Sequence, residues 1–195
     1  MFLVLSIIFS AMILIISLNI IFSVPVLGYS PLYFVVATII AVVYQVAVDG
    51  LFAFIVSKLP EKWFKNRKVF NVSKNEQKFY EKLGIRSWKD KIWELGGLGG
   101  FSKSKINEPT KLEYIEKFLI ESYKGQLDHI LGMIAGFSVI FIFPLKLALN
   151  LCVPVALVNF ILNLLPIMIL RYNTPKLLIL QKRAVRNLQN ENKII

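Results

Sequence analysis

The residues best suited to chemistry lie in "ESYKGQLDH", Glu121 to His129, where a charged segment meets a hydrophobic one. His129 is the only histidine in the chain. An unperturbed imidazole titrates near pH ~6.5, so it can take and release a proton at cellular pH. At a membrane boundary such a base can deprotonate a hydroxyl of water or of a lipid, with Glu121 orienting it or touching the substrate. Glu121, Gly125 and His129 fall at i, i+4 and i+8, one stripe of a helix. Gly125 removes a side chain between the two ionisable groups, so a substrate or another helix can approach there. The competing reading is an interfacial histidine hydrogen-bonded for packing.

Other chemistries find little support. One His and one Cys leave no common zinc ligand set, and no metal is expected. Cys152 lies more than a membrane helix from His129 in sequence and reads as a small apolar packing residue. Five residues after His129 stands Ile134, so the HxxxxD signature of soluble-type glycerolipid acyltransferases is missing. Gly96, Gly97, Gly99 and Gly100 form a glycine-rich loop without the Gly-Lys-Ser/Thr ending of a phosphate-binding loop. It reads as a hinge, or as a lid with Lys89, Lys91 and Lys103 near an anionic group. Asn159 and Asn163 sit one helical turn apart in an apolar stretch, with Asn150 further back. They bond neighbouring helices or line a cleft for a polar head group. Asp49 raises the same choice, or simply reaches the interface.

The elements that must carry these residues are set by hydropathy. Apolar residues make up 56% of the chain and charged ones only 18%, against roughly a quarter charged in soluble domains. Mean hydropathy is +0.62. The excess lies in blocks long enough for membrane helices, which need about 20 residues. Residues 2–23, 31–57, 130–149 and 151–170 qualify, the last two separated within "FPLKLALN". Backbone in a bilayer must satisfy its own hydrogen bonds, so the expectation is all-α and polytopic, with about four transmembrane helices in a single unit over 1–195. The first block reads as a retained helix: no basic residue precedes it, its apolar run is long, and no small-x-small cleavage site follows.

Charge gives the orientation. Of 23 Lys and Arg, 16 lie in 58–128 and six in 171–195. That asymmetry places the segment 58–128, the tail and the N-terminus on the cytoplasmic side of the cell membrane. The net charge of +11 then meets anionic lipid. Nucleic acid is excluded as a partner, because the basic residues are interleaved with acids and flanked by spans.

Within 58–128, Trp63, Phe64 and Phe70 suit a segment dipping into the interface. Ser73 with Glu76 three residues on makes a capping box, and Gly84 a stop. Thr110 with Glu113 opens a long helix whose apolar side is Leu112, Ile115, Leu119 and Ile120. After the last span, Arg171 and Tyr172 are interface anchors. Asn173 and Pro175 are expected to turn the chain into a basic amphipathic surface helix.

These pieces resemble the glycosyl-diaponeurosporenoate acyltransferase family of staphyloxanthin-type carotenoid synthesis, from about Pro60 to Leu177. The carriers are "PEKWF", "WKDKI", "ESYKGQLDH" and "RYNTPKL". Trp88, Lys89, Lys91, Glu121, His129, Asn163, Arg171, Tyr172, Asn173 and Pro175 match that family's pattern. The resemblance implies an integral membrane acyltransferase that esterifies a sugar or lipid-linked hydroxyl, as on a glycosylated carotenoid-like acceptor, with a fatty acyl chain. The donor is an acyl thioester co-substrate and no cofactor is implied. His129 becomes the general base and Glu121 its partner. Lys89, Lys91 and Arg171 become anion contacts, and Asn163 a contact to the sugar or the oxyanion. Tyr172 and Asn173 join the substrate-binding set. The partners are the lipid-like acceptor, the acyl donor and membrane lipids. The alternative is a non-enzymatic scaffold or transporter subunit, which favours unwound spans around polar pairs at mid-depth.

Overall fold

The structure is a computed structural model that describes residues 2–65, 67–92 and 106–194. The glycine loop 96–100 and Lys103 lie outside the described residues. Among the described residues every element is helical and no strand occurs. The α-helices are α1 (Phe2–Leu18), α2 (Val24–Leu27), α3 (Pro31–Ser57), α4 (Lys74–Lys82), α5 (Ile85–Trp88), α6 (Leu112–Ala135) and α7 (Val153–Ile194). Three stretches are long and apolar enough to cross a membrane: Val4–Leu27, Pro31–Ser57 and Leu145–Asn190. Outward apolar side chains such as Phe9, Ile13, Val43 and Phe54 fit membrane association.

The chain divides into two compact units, Met1–Ile55 with Asp128–Leu165, and Val56–Leu127 with Pro166–Ile195. The first has a core of Ile15, Phe34, Ala37, Ala41, Val139, Leu147, Leu151, Cys152, Val155 and Ala156. Ala37 and Ala41, one turn apart, keep that face of α3 shallow, so neighbouring helices pack closely on it. Two π-helical turns, Asn19–Ser23 and Ala148–Cys152, are tied together by polar side chains. Asn19 Nδ2 donates to the Asn150 carbonyl at 2.9 Å, and Asn150 Nδ2 to Ser23 Oγ at 3.2 Å. Thus Asn150 bonds helices together.

Residues 130–149 do not form one α-helix. α6 ends at Ala135, a 3₁₀ segment runs Gly136–Phe141, and another follows at Leu145–Leu147. Pro144 is extended, with ψ 140°. A proline has no N–H and bars helical backbone in the residue before it, which ends the run there.

The second unit is built on α4, α5, the first part of α6 and the last part of α7. The Ser73 cap is present: its side chain accepts from Glu76 N at 3.1 Å. Gly84 takes a positive φ of 64° directly after α4, the left-handed stop that suits glycine. The long helix begins slightly later than its sequence signal, since the Lys111 carbonyl already accepts from Ile115 N. Ile115, Leu119 and Ile120 are buried. Phe64 and Phe70 pack inside this unit. Phe70 stacks on Tyr123 at 4.4 Å, and Phe64 is 2% exposed, while Trp63 stays exposed.

The expected turn at Asn173 and Pro175 is absent, because α7 runs through both Pro166 and Pro175. An interior proline costs about 3 kcal/mol. Here Leu170, Tyr172, Leu177 and Ala184 are all buried along the helix, and that burial outweighs the cost. Thr174 Oγ1 also donates to the Leu170 carbonyl at 2.9 Å, steadying the turn before Pro175.

Candidate active site

Three helices of the first unit bring polar side chains to one place. α3 supplies Gln45 and Asp49, α6 supplies His129, and α7 supplies Asn159 and Asn163. Each same-helix pair is spaced four apart and so shares a face. The helices come close because the residues of α6 and its 3₁₀ extension at the crossing are glycines. A Cβ on Gly132 would stand 2.5 Å from Asp49 Oδ1 and 3.3 Å from Asn163 Oδ1. One on Gly136 would stand 2.5 Å from Asn159 Nδ2 and 2.8 Å from Gln45 Oε1. Gly132 and Gly136 form the small-xxx-small pattern that lets helices meet in apolar surroundings.

Asn163 is the hub. Its Nδ2 donates toward Asp49 Oδ2 at 3.2 Å, the Asn159 carbonyl at 3.1 Å and Asn159 Oδ1 at 3.2 Å. A backbone carbonyl only accepts, so the Asn159 carbonyl fixes which end of the amide is the NH2. Asn163 Oδ1 therefore faces His129 Nδ1, 2.9 Å away. An amide oxygen also only accepts, so Nδ1 carries the proton. In the neutral ring Nε2 then carries no proton and is the basic nitrogen. The arrangement is that of a general base whose second nitrogen is held by an orienting acceptor. Asn159 Nδ2 reaches the Gly132 carbonyl at 3.4 Å, and Gln45 Nε2 the Gly136 carbonyl at 2.8 Å. Gln45 Oε1 is buried without a hydrogen-bond partner.

The remaining sequence-predicted residues lie in the second unit. Glu121 Oε1 sits 3.5 Å from Lys124 Nζ, and Lys124 also donates to the Ser57 carbonyl. Lys89 pairs with Asp90 at 3.2 Å in a 3₁₀ turn that ends at the exposed Lys91. Arg171 is engaged by the protein itself: Nε and Nη2 donate to the Glu76 carboxylate, Nη1 to the Val69 carbonyl and Gln126, and Nη2 also to the Asn71 carbonyl. Tyr172 is fully buried against Tyr80, Ile85 and Ile169, with its hydroxyl accepting from Arg86 Nε at 2.8 Å. Asn173 is half-buried on the same helix.

The bonded Arg171 guanidinium holds Glu76 below the usual carboxylate range. Burial, aided by the hydrogen bond to Glu76, pushes the Tyr80 hydroxyl up to about 12. The same unit holds a cavity of about 350 Å³ lined by Phe64, Leu119, Ile120 and Tyr123 together with Lys65 and Arg67. Among the described residues no three His, Cys, Asp or Glu side chains converge to hold a metal.

Sequence reasoning isolated His129, Asn159 and Asn163 but not their mutual bonding. It noted Asp49 without a partner, and it passed over Gly132 and Gly136. Their four-residue spacing beside the sole histidine was the available signal.

Comparison with known proteins gives the activity class. No curated protein and no solved structure matches the chain. A family profile described as glycosyl-4,4'-diaponeurosporenoate acyltransferase matches residues 60–183, which include Glu121, His129, Asn163 and Arg171. That stretch is well over half of the sequence, and the chain belongs to the glycosyl-4,4'-diaponeurosporenoate acyltransferase family.

Proposed function

We propose that the chain is an integral membrane enzyme that esterifies a sugar hydroxyl of a glycosylated carotenoid acid with a fatty acyl chain. The donor is a long-chain acyl thioester. His129 Nε2 takes the proton of the hydroxyl as its oxygen attacks the thioester carbonyl. The thiolate leaves and collects that proton, so an alcohol and a thioester become an ester and a thiol. The observation that carries this reading is the 2.9 Å contact between His129 Nδ1 and Asn163 Oδ1, which leaves Nε2 unprotonated for the task. The orienting role falls to Asn163. Its NH2 is turned toward Asp49 and Asn159, so it is not the oxyanion donor. Lys89 and Lys91 are assigned as anion contacts for the donor.

The protein lies in the cell membrane with four crossings, residues 130–149 supplying the third with a break at Pro144. Both termini and the segment 58–128 face the cytoplasm, on the distribution of Lys and Arg. The test is direct. Purified protein is incubated with a glycosylated carotenoid acid and a long-chain acyl thioester, and the products are read by mass spectrometry. A new ester at a sugar hydroxyl is expected. No ester with any thioester donor, from protein that is folded and inserted, contradicts the reading and favours a scaffold.

A further inference from the structure

We propose that Asp49 is a positioning residue for the transfer reaction, acting on His129 through Asn163, and that Gly132 is the notch that seats its carboxylate. The proposal rests on the reading of His129 as the base.

Asp49 is the only charged residue in the 27 residues of α3. An ionisable group in so apolar a helix is costly and needs a partner in the protein interior. It meets Asn163 Nδ2, 3.2 Å from Oδ2 and 3.4 Å from Oδ1, with the Asn159 side chain beside it. A neutral side chain could meet that amide equally well, so the hydrogen bond alone does not account for an acid. The charge adds a second effect. When Nε2 takes the hydroxyl proton, the ring becomes a cation, and a carboxylate one amide away stabilises it. Asp49, Asn163 and His129 thus form a line in which the carboxylate holds the amide, the amide holds the ring, and the negative charge opposes the positive one that develops. The backbone makes room for this line: a Cβ on Gly132 would stand 2.5 Å from Asp49 Oδ1, so a side chain there would push the carboxylate aside.

The other titratable groups of the packed elements are few. α1 contributes none. α3 also carries Tyr33 and Tyr44, the latter bonded to Ser138. Asp128 precedes His129 on α6, while Lys146 lies beyond Pro144 and Cys152 is in the core.

The test uses the full-length protein, Asp49→Asn and Gly132→Ala, with ester formation measured across pH 5–9. Asp49→Asn keeps shape and hydrogen bonding but removes charge. Its kcat should fall about 10–100-fold with KM little changed. The ascending limb of the pH profile should move to lower pH, because the imidazolium has lost its counter-charge. Gly132→Ala introduces a better helix former yet displaces the carboxylate, so both readouts should move the same way. A merely structural role would lower folded protein without moving the limb. Unchanged kcat and an unmoved limb in Asp49→Asn overturn the proposal. If Asp49→Asn does not accumulate, wild-type behaviour of Gly132→Ala overturns it instead. His129→Gln separates the two readings: an inactive His129→Gln beside a normal Asp49→Asn sinks the relay alone, whereas an active His129→Gln sinks the base.

Discussion

Arg171 and Glu76 face each other as a two-pronged pair, Nε to one carboxylate oxygen and Nη2 to the other at 3.0 Å. Both side chains are largely shielded, at 20% and 24% exposure. With its bonds to Val69, Asn71 and Gln126, this guanidinium joins α7 to α4, to α6 and to the segment before α4. Its planar fork suits that duty, and a lysine cannot reproduce it.

Arg171→Lys is therefore expected to destabilise the protein by about 1–3 kcal/mol while leaving KM for the acyl donor near normal in the folded fraction. Thermal unfolding in detergent and donor titration check this together. A raised KM with unchanged unfolding would make Arg171 a donor contact.

The same pair sets an acid limit. Glu76 is held below the ordinary carboxylate range, chiefly by its hydrogen bond from Arg171. It binds its proton more weakly when folded, so its contribution is complete above the unfolded value and is lost as pH falls through the lowered one. Unfolding midpoints of the wild type should drop through that acid window. Glu76→Gln should start lower and show a shallower drop. Parallel curves would assign the acid sensitivity elsewhere.

The proposed orientation can be read by labelling. Lys111→Cys and Asn190→Cys, both at exposed positions, should resist membrane-impermeant thiol reagents in intact cells and react after permeabilisation. The native Cys152 is fully buried and gives little background. Labelling of either position from outside rejects the cytoplasmic assignment.

The helical class was legible because apolar blocks of bilayer length leave little else to build. Capping was legible too, since Ser73 and Gly84 act through local backbone geometry. What escaped were properties of helices in contact. Glu76 was read for its place after Ser73, yet its carboxylate serves Arg171. Pro175 carries a strong local signal for a turn, and buried side chains on either side override it. In the candidate site, Asn159 and Asn163 announced a polar face, but not which helix would meet it. That depended on Gly132 and Gly136, whose meaning lies in the side chains they lack.

His129 is proposed as the base for acyl transfer. The deciding measurement is ester formation by His129→Gln, in membranes at matched levels of inserted protein. The amide can keep the bond to Asn163 but cannot accept the hydroxyl proton. The rate should fall by about a hundredfold to ten-thousandfold. An ester yield from His129→Gln close to that of the wild type would show that His129 is not the base.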